Sequence, residues 1–533
     1  MALMLTPQEI ADLQKALADA LEQNQSLSSE LRVVRTERDL LKEQLSQFKR
    51  QLFAAKSEVS TAHQKDMFFD EAEAQAGQAA PAAEEEGSAD TVDVPGHRRR
   101  GRGRKPLNPA LPREVVRHEL PESERVCPHD GSPLTEIGVE TSEQLDIVPQ
   151  QVRVIRHERV KYACPCCDGA LRLAARPPQV IPKGLFTESA MAWVITSKYL
   201  DGLPLYRQAA LLGRFGGTDV ARNTLAAGVV RVGQAAQPVL NLLRDLLLES
   251  PRIFGDETQV QVLKEPGRAA QSKSYMWVQM TETSGVDGTG PPIRLFAYSP
   301  SRSTATARQL YAGVRSGAVL MTDGYEPYNA IAKVHELVHL GCWAHCRRYM
   351  NDALQALPKD QRGPEQLPAR FIALIGELYK VEAQARRDGA DAQALKTRRQ
   401  QHSAPVLKQI EQLLLANLHG VVPGSLLGKA LHYMSSQWSK LIRFVEDGTY
   451  AVDNNACENA IRPFCVGRRN WLFADTVAGA NASANLYSLL QTCLVNGIDG
   501  YAYLKALLIA LPMAKTVEDY EALLPWRIDI GRR

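Results

Sequence analysis

Several common signals are scarce or missing in this chain. Cysteine is rare, nine in 533 residues, and clustered, which excludes a disulfide-built secreted scaffold and favours metal ligation in a reducing compartment. No run of about 18 apolar residues occurs, so no membrane-spanning helix is expected; the stretch 504–514 is too short and carries Lys505 and Pro512. The opening MALMLTPQEIADL lacks a basic segment followed by an apolar one, so no signal peptide is predicted and the chain reads as cytoplasmic. An excess of one charge is also missing. Net charge is only +3, and 44% apolar with 23% charged residues is ordinary for globular protein. At roughly 150 residues per domain the length suggests three or four modules.

The near-neutral total conceals segregated charge. Residues 66–93 hold nine acids and no Lys or Arg, whereas six of the eight residues 98–105 are basic. Upstream, residues 7–56 read as one long helix. Leu13, Ala20, Leu27, Val34, Leu41 and Phe48 recur every seventh residue beside Leu17, Asn24, Leu31, Arg38, Leu45 and Leu52. This heptad pattern predicts a self-associating coiled coil, with Asn24 at an a position fixing register; a long helix packed on its own chain has the same pattern. Residues 57–96, poor in large apolar side chains, are a linker. In the basic arm, residues 97–112, Arg98, Arg99, Arg100, Arg102, Arg104 and Lys105 alternate in part with glycine. That pattern suits a DNA minor groove, and equally a solvated basic linker.

Residues 113–182 carry a zinc-ribbon layout. Cys127-Pro-His129-Asp130 precedes the strand-like VRVIRHERVKYA, and Cys164-Pro-Cys-Cys167 follows it. The first turn has Asp130 where a second cysteine is wanted. Either Zn2+ is held by Cys127, Cys164 and Cys167 with His129 or Asp130, or the ribbon is metal-free. Residues 185–250 read as helix, Gly-Gly turn, helix, with Thr218 or Asp219 as cap and Arg222 and Asn223 on the first turn, a helix-turn-helix or a plain helical hairpin.

From residue 252 the period changes from 3.6 to 2. Three strands, a helix near 304–314 and a short buried strand ending at Asp323 follow the order of a ribonuclease H-like fold, which sets Asp256 beside Asp323. Adjacent carboxylates call for a hard divalent cation, Mg2+ or Mn2+, and Glu458, one turn into a helix capped by Asp453 or Asn454, is the third acid. Residues 251–357 form the first part of this core, 358–447 a helical insertion, and 448–533 the second part with a C-terminal segment. The fold class is thus multidomain α/β: a ribonuclease H-like core with a helical insertion, preceded by coiled coil, zinc-ribbon-like segment and helix-turn-helix.

The motifs GRKPL, CP...YACPCC, SKYLDGLPLYRQ, GDETQVQVL, YSPSRS, TDGYEPYN, GCWAHCRR, DNNACENAIRP, GRRNWLFA and LLPWR, in this order, resemble the IS-sixty-six family of bacterial insertion-sequence transposases. The resemblance implies a DDE transposase with catalytic acids Asp256, Asp323 and Glu458. It also implies binding of double-stranded DNA at terminal inverted repeats and at the target, metal-dependent cleavage and strand transfer by in-line phosphoryl transfer, and small accessory proteins of the same element as partners. In GCWAHCRR, His345 and Arg348 suit contact with DNA ends, or a buried Trp and Cys at a strand-to-helix junction; a metal site of Cys342, His345 and Cys346 is disfavoured. Arg462, Arg468 and Arg469 are placed for phosphates, and Trp471 for stacking on a base or filling the core.

Overall fold

The structure, a computed structural model, describes residues 7–53, 91–92, 99–100, 152–158, 161–163, 171–173, 178–216 and 219–531. The calls on Arg98, Arg102, Arg104, Lys105, Cys127, His129, Asp130, Cys164 and Cys167 lie outside them. The chain divides into two units, Pro81–Arg156 with Arg214–Thr218, and the remainder. In the smaller unit, β1 (Thr91–Val92) pairs antiparallel with β2 (Arg99–Arg100).

In the larger unit, α1 runs over Pro7–Phe53. Its seam residues Leu17, Leu27, Leu31, Val34, Leu41 and Leu45 are exposed. β3 (Lys161–Ala163) and β4 (Leu171–Leu173) form a hairpin, with Ala163 opposite Leu171. The long strand expected before the second cysteine turn is therefore short: Val154 upstream is exposed and belongs to no strand. Four helices follow, α2 (Glu188–Tyr199), α3 (Leu205–Gly216), α4 (Arg222–Ala235) and α5 (Gln237–Leu248). The cap expected at Thr218 or Asp219 is instead Ala221, which makes no side-chain cap bond, because the helix starts later than the motif suggested. Arg222 and Asn223 stand exposed on its first turn, while Leu225, Val229 and Val232 are buried.

The sheet comprises β5 (Arg252–Lys264), β6 (Lys273–Thr281), β7 (Ile293–Ser299), β8 (Val319–Met321) and β9 (Val338–Leu340) in the order β7-β6-β5-β8-β9. β5 runs antiparallel to β6 and parallel to β8, as β8 does to β9. The crossovers are α6 (Thr304–Leu310) and α7 (Glu326–Val334). All three residues of β8 are buried, as a strand covered on both faces requires. α6 ends four residues short of the expected 314, and β9 was not anticipated.

β7 is an edge strand, and α14 (Val477–Val495) closes that edge. Phe296 N donates to Ser488 Oγ at 2.8 Å and Arg294 N to Thr492 Oγ1 at 3.1 Å, so strand donors are satisfied by helix hydroxyls. Ala482 of the same helix abuts Gly233 of α4, where a Cβ would come within 2.7 Å of Ala482 Cα. That close approach builds α4 into the main core.

After α8 (Trp343–Ala356) come α9 (Leu367–Arg387), α10 (Ala392–Arg398), a π-turn at Arg399–Ser403, α11 (Ala404–Asn417) and α12 (Leu426–Leu441). α8, α9, α11 and α12 share a second hydrophobic core around Trp343, Phe371, Ile375, Leu378, Ile410, Leu431 and Phe444. The chain then returns to the sheet through α13 (Asn455–Trp471), followed by β10 (Ala474–Thr476), which pairs parallel with the far end of β5. Among the described residues no helix is long and apolar enough to cross a membrane.

Candidate active site

Asp256 lies mid-strand in β5, where Glu257 N donates to its Oδ1 at 2.8 Å. Asp323 sits two residues beyond β8, in a turn rather than at the strand end that the sequence suggested. There Tyr325 N donates to its Oδ1 at 2.9 Å. The turn needs Gly324: its φ is +89°, and a Cβ would fall 2.7 Å from Gln437 Oε1 of α12. Just before it, the Thr322 hydroxyl and His339 Nε2 of β9 lie 2.9 Å apart and fix the end of the strand.

Glu458 comes from the first turn of α13. Asn454, the N-cap, uses its side chain differently from expectation. Its Nδ2 donates to Gly255 O of β5 at 3.0 Å rather than its carbonyl oxygen capping the helix, and its backbone N–H points at Cys342 Sγ at 3.2 Å. One buried amide thus ties the Glu458 helix to the Asp256 strand. Asp453 Oδ1 accepts from Asn455 N at 3.0 Å and its Oδ2 from Tyr379 of α9 at 2.7 Å. Gly255 leaves the space that Tyr311 and Tyr328 fill; a side chain there would collide with the Tyr311 hydroxyl.

Charge reveals how closely the acids converge. Burial, then Asp323, Glu257 and Glu458, hold the Asp256 carboxyl well above the usual carboxylate range. Burial raises Asp323 as well, against the opposing pull of the Tyr325 N–H, Arg348 and Arg302. Glu257, a fourth acid missed in the sequence, is pushed up to about 7 by burial and Asp323, with Tyr328 donating to its Oε2 at 2.8 Å. A clue was available, since Glu257 adjoins Asp256, but strand alternation alone sends neighbours to opposite faces. An all-oxygen set of mutually repelling, half-buried carboxylates is the donor chemistry that a hard divalent cation matches.

His345 lies beside Glu458, Nδ1 to Oε1 3.4 Å. Burial and then Arg348 lower its pKa to about 3, so the imidazole is neutral and the contact is not an ion pair. The ligand atoms of Cys342, His345 and Glu458 all lie within 4.8 Å of one another. Cys346, the other cysteine of the motif, is buried in the second core instead. Trp343 is fully buried there too, donating to Leu441 O at 2.9 Å, so of the two readings of GCWAHCRR its tryptophan follows the core one.

Of the basic residues, Arg348 and Arg462 are half-buried and Arg469 is exposed. Arg468 donates to Thr258 Oγ1 of β5 at 3.1 Å. Trp471 packs edge-on against Phe464, with Lys198 5.1 Å above its ring. Arg99 and Arg100 are described as backbone in β2 only.

A profile described as "Transposase IS66 family" matches residues 183–482, spanning both the sheet and the helical insertion. The "zinc-finger binding domain of transposase IS66" matches 124–168, the "Transposase C of IS166 homeodomain" 40–116, and the "IS66 C-terminal element" 488–526. Three proteins of Sinorhizobium fredii (strain NBRC 101917 / NGR234) are similar along most of their length. Uncharacterized protein y4jD is 33% identical over 78% of this chain and 81% of its own. Uncharacterized protein y4qI is 33% identical over 80% of this chain and 79% of its own, and y4hP is 29% identical over 82% and 79%. With residues 183–482 and 488–526 matched in one order, the chain belongs to the IS66 family of transposases.

Proposed function

We propose that the chain is a DDE-type DNA transposase with a ribonuclease H-like catalytic core. The observation that carries this reading is the convergence of Asp256, Asp323 and Glu458 from a central strand, the turn beyond its parallel neighbour and a helix anchored to that strand. The strand order β7-β6-β5-β8-β9 supports it. Asp256, Asp323 and Glu458 are the residues that would hold Mg2+ or Mn2+, which bound there lowers the pKa of an attacking hydroxyl and offsets phosphate charge.

The chain's own contribution is to bind and orient DNA. Water cuts the phosphodiester at each element end to free a 3′-hydroxyl, and that hydroxyl attacks a target phosphorus in line, with no covalent link to protein. Exposed Arg222, Asn223 and Arg469, with Arg348, Arg462 and Arg468 nearer the acids, supply phosphate and base contacts, and His345 positions Glu458 beside them. Arg98, Arg99, Arg100, Arg102, Arg104 and Lys105 track the backbone of the duplex. Cys127, Cys164 and Cys167, with His129 or Asp130, hold Zn2+, a reading supported by the zinc-finger match. The exposed heptad face of α1 pairs with a second copy of the chain, small accessory proteins of the element assist, and the whole acts in the cytoplasm on nucleoid DNA.

The test is a strand-transfer assay with end-repeat duplex and Mg2+. Joined products are expected; cleavage alone would mark a nuclease, and binding without cleavage a regulator. Asp323→Asn is expected to bind DNA while losing cleavage and joining together, and retained cleavage in that variant removes Asp323 from the chemistry.

A further inference from the structure

Arg302 belongs to the YSPSRS motif, to which neither the sequence nor the acid cluster gave a task. It lies between β7 and α6, with its side chain 48% exposed. The guanidinium carbon stands 4.4 Å from the centre of the Tyr325 ring and 5.6 Å from that of Tyr275. The Tyr325 hydroxyl returns to donate to Arg302 O at 3.0 Å, so one tyrosine holds both ends of the residue. Tyr325 is two residues past Asp323, and its N–H is the donor that fixes the Asp323 carboxylate. The same tyrosine therefore registers the arginine against the acid.

Among the described residues the guanidinium has one carboxylate oxygen within 4 Å, Glu257 Oε1 at 3.7 Å, while Oε2 of that acid already accepts from Tyr328; Asp323 feels its charge from farther off. The Glu257 contact is too long for a hydrogen bond, and the guanidinium donates none to any described residue. Arg399 makes the contrast. It is 2% exposed, grips Glu382 with two bonds of 2.7 Å, and spends its remaining nitrogen on Phe444 O and Asp447 O. Arg399 is used up by its own fold. Arg302 is held over aromatic rings with its donors unspent, at the rim of a cluster of carboxylates.

We propose that Arg302 is a phosphate-binding residue of the substrate site, forking onto a DNA backbone phosphate beside the one that is cut. The planar guanidinium matches two phosphate oxygens at once, and stacking on Tyr325 and Tyr275 removes the freedom that it would otherwise lose on binding. Glu257 keeps the group parked without consuming its donors. This rests on the reading of Asp256, Asp323 and Glu458 as a DNA-cutting site.

The test measures affinity for a fluorescent end-repeat duplex in Ca2+ as salt is raised, with melting temperature followed alongside. Losing one phosphate contact lowers the slope of log K against log salt by about 0.9. Arg302→Ala and the bulkier Arg302→Gln are each expected to show that loss at an unchanged melting temperature. Arg302→Lys is expected to keep the slope but cut DNA more slowly, since a point charge neither forks nor stacks. An unchanged slope in either neutral variant overturns the proposal, and so does a lysine variant as deficient in slope as the alanine one. Asp323→Asn separates the two readings: its cleavage decides the catalytic assignment, whereas the slope difference made by Arg302 is read without any cleavage.

Discussion

Two hydrophobic cores meet at the carboxylates, and they do different work. The sheet core carries Asp256 and Asp323 on or just beyond buried strands, and the acids there are crowded enough to raise one another's pKa. The insertion core brings no acid to the cluster. It sends braces instead: Tyr433 of α12 donates to Asp323 O, Tyr379 of α9 to Asp453, and Gln437 packs on Gly324. One core carries the crowded acids, and the other fixes backbone positions from outside. A rigid neighbour suits this arrangement, because like charges that repel will spread unless the chain that bears them is held.

That division can be broken first at Arg399. Its guanidinium is buried with Glu382 and closes the π-turn onto the carbonyls of Phe444 and Asp447, at the 3-10 helix Ile442–Glu446. Arg399→Ala leaves the Glu382 carboxylate buried without a partner, which costs about 3–5 kcal/mol. Urea denaturation is expected to register that loss, with the sheet outlasting the insertion by limited proteolysis. Replacing both partners with apolar residues, Arg399→Met with Glu382→Leu, is expected to recover most of it. A loss below about 1 kcal/mol in the single variant means that the insertion does not depend on this pair.

The junction comes next. Asn454→Ala removes the bond to Gly255 O and leaves a buried carbonyl unpaired, about 1–3 kcal/mol of stability. That bond ties the Glu458 helix to the Asp256 strand, so on the proposed reading of these acids as metal ligands cleavage is expected to fall about 10–100-fold. Asn454→Asp, equal in shape but unable to donate when ionised, is expected to do worse by adding a further carboxylate beside the four already in the cluster. Cleavage at the parental rate in Asn454→Ala would detach the helix anchor from the chemistry.

Much of this was legible in the sequence. Three period-two runs, a helix and the short apolar run before Asp323 located β5 to β8 and α6 along the chain, because strand burial writes itself as alternation or as continuous apolar residues. What stayed hidden depends on contacts made across long separations. Asn454 reads as a helix cap in any local window, and only the fold reveals that its amide reaches 199 residues back to Gly255. Glu257 carries no signal of its own beside Asp256, and only the fold brings the Tyr328 hydroxyl and the Arg302 side chain to it. β9, three residues long, is too short to leave a periodic signal. The cap of α4 was misplaced because Thr and Asp favour caps in general, while tertiary packing of Leu225 and Val229 decided where the helix begins.

The smallest expected effect tests the brace itself. Tyr379→Phe keeps the buried ring in the insertion core and removes only the hydroxyl that donates to Asp453 Oδ2. Asp453 retains the donors of Asn455, the backbone N–H at 3.0 Å and Nδ2 at 3.0 Å, so no carboxylate oxygen is stranded. One hydrogen bond to a charged acceptor with substitutes nearby is worth about 1 kcal/mol, and the rate of cleavage can then fall by no more than about tenfold. A small drop in melting temperature with affinity for end-repeat DNA unchanged is the expected result. If cleavage in Tyr379→Phe instead fell as far as in Asp323→Asn, the insertion would be part of the reacting site and the separation between chemical core and bracing core would be lost.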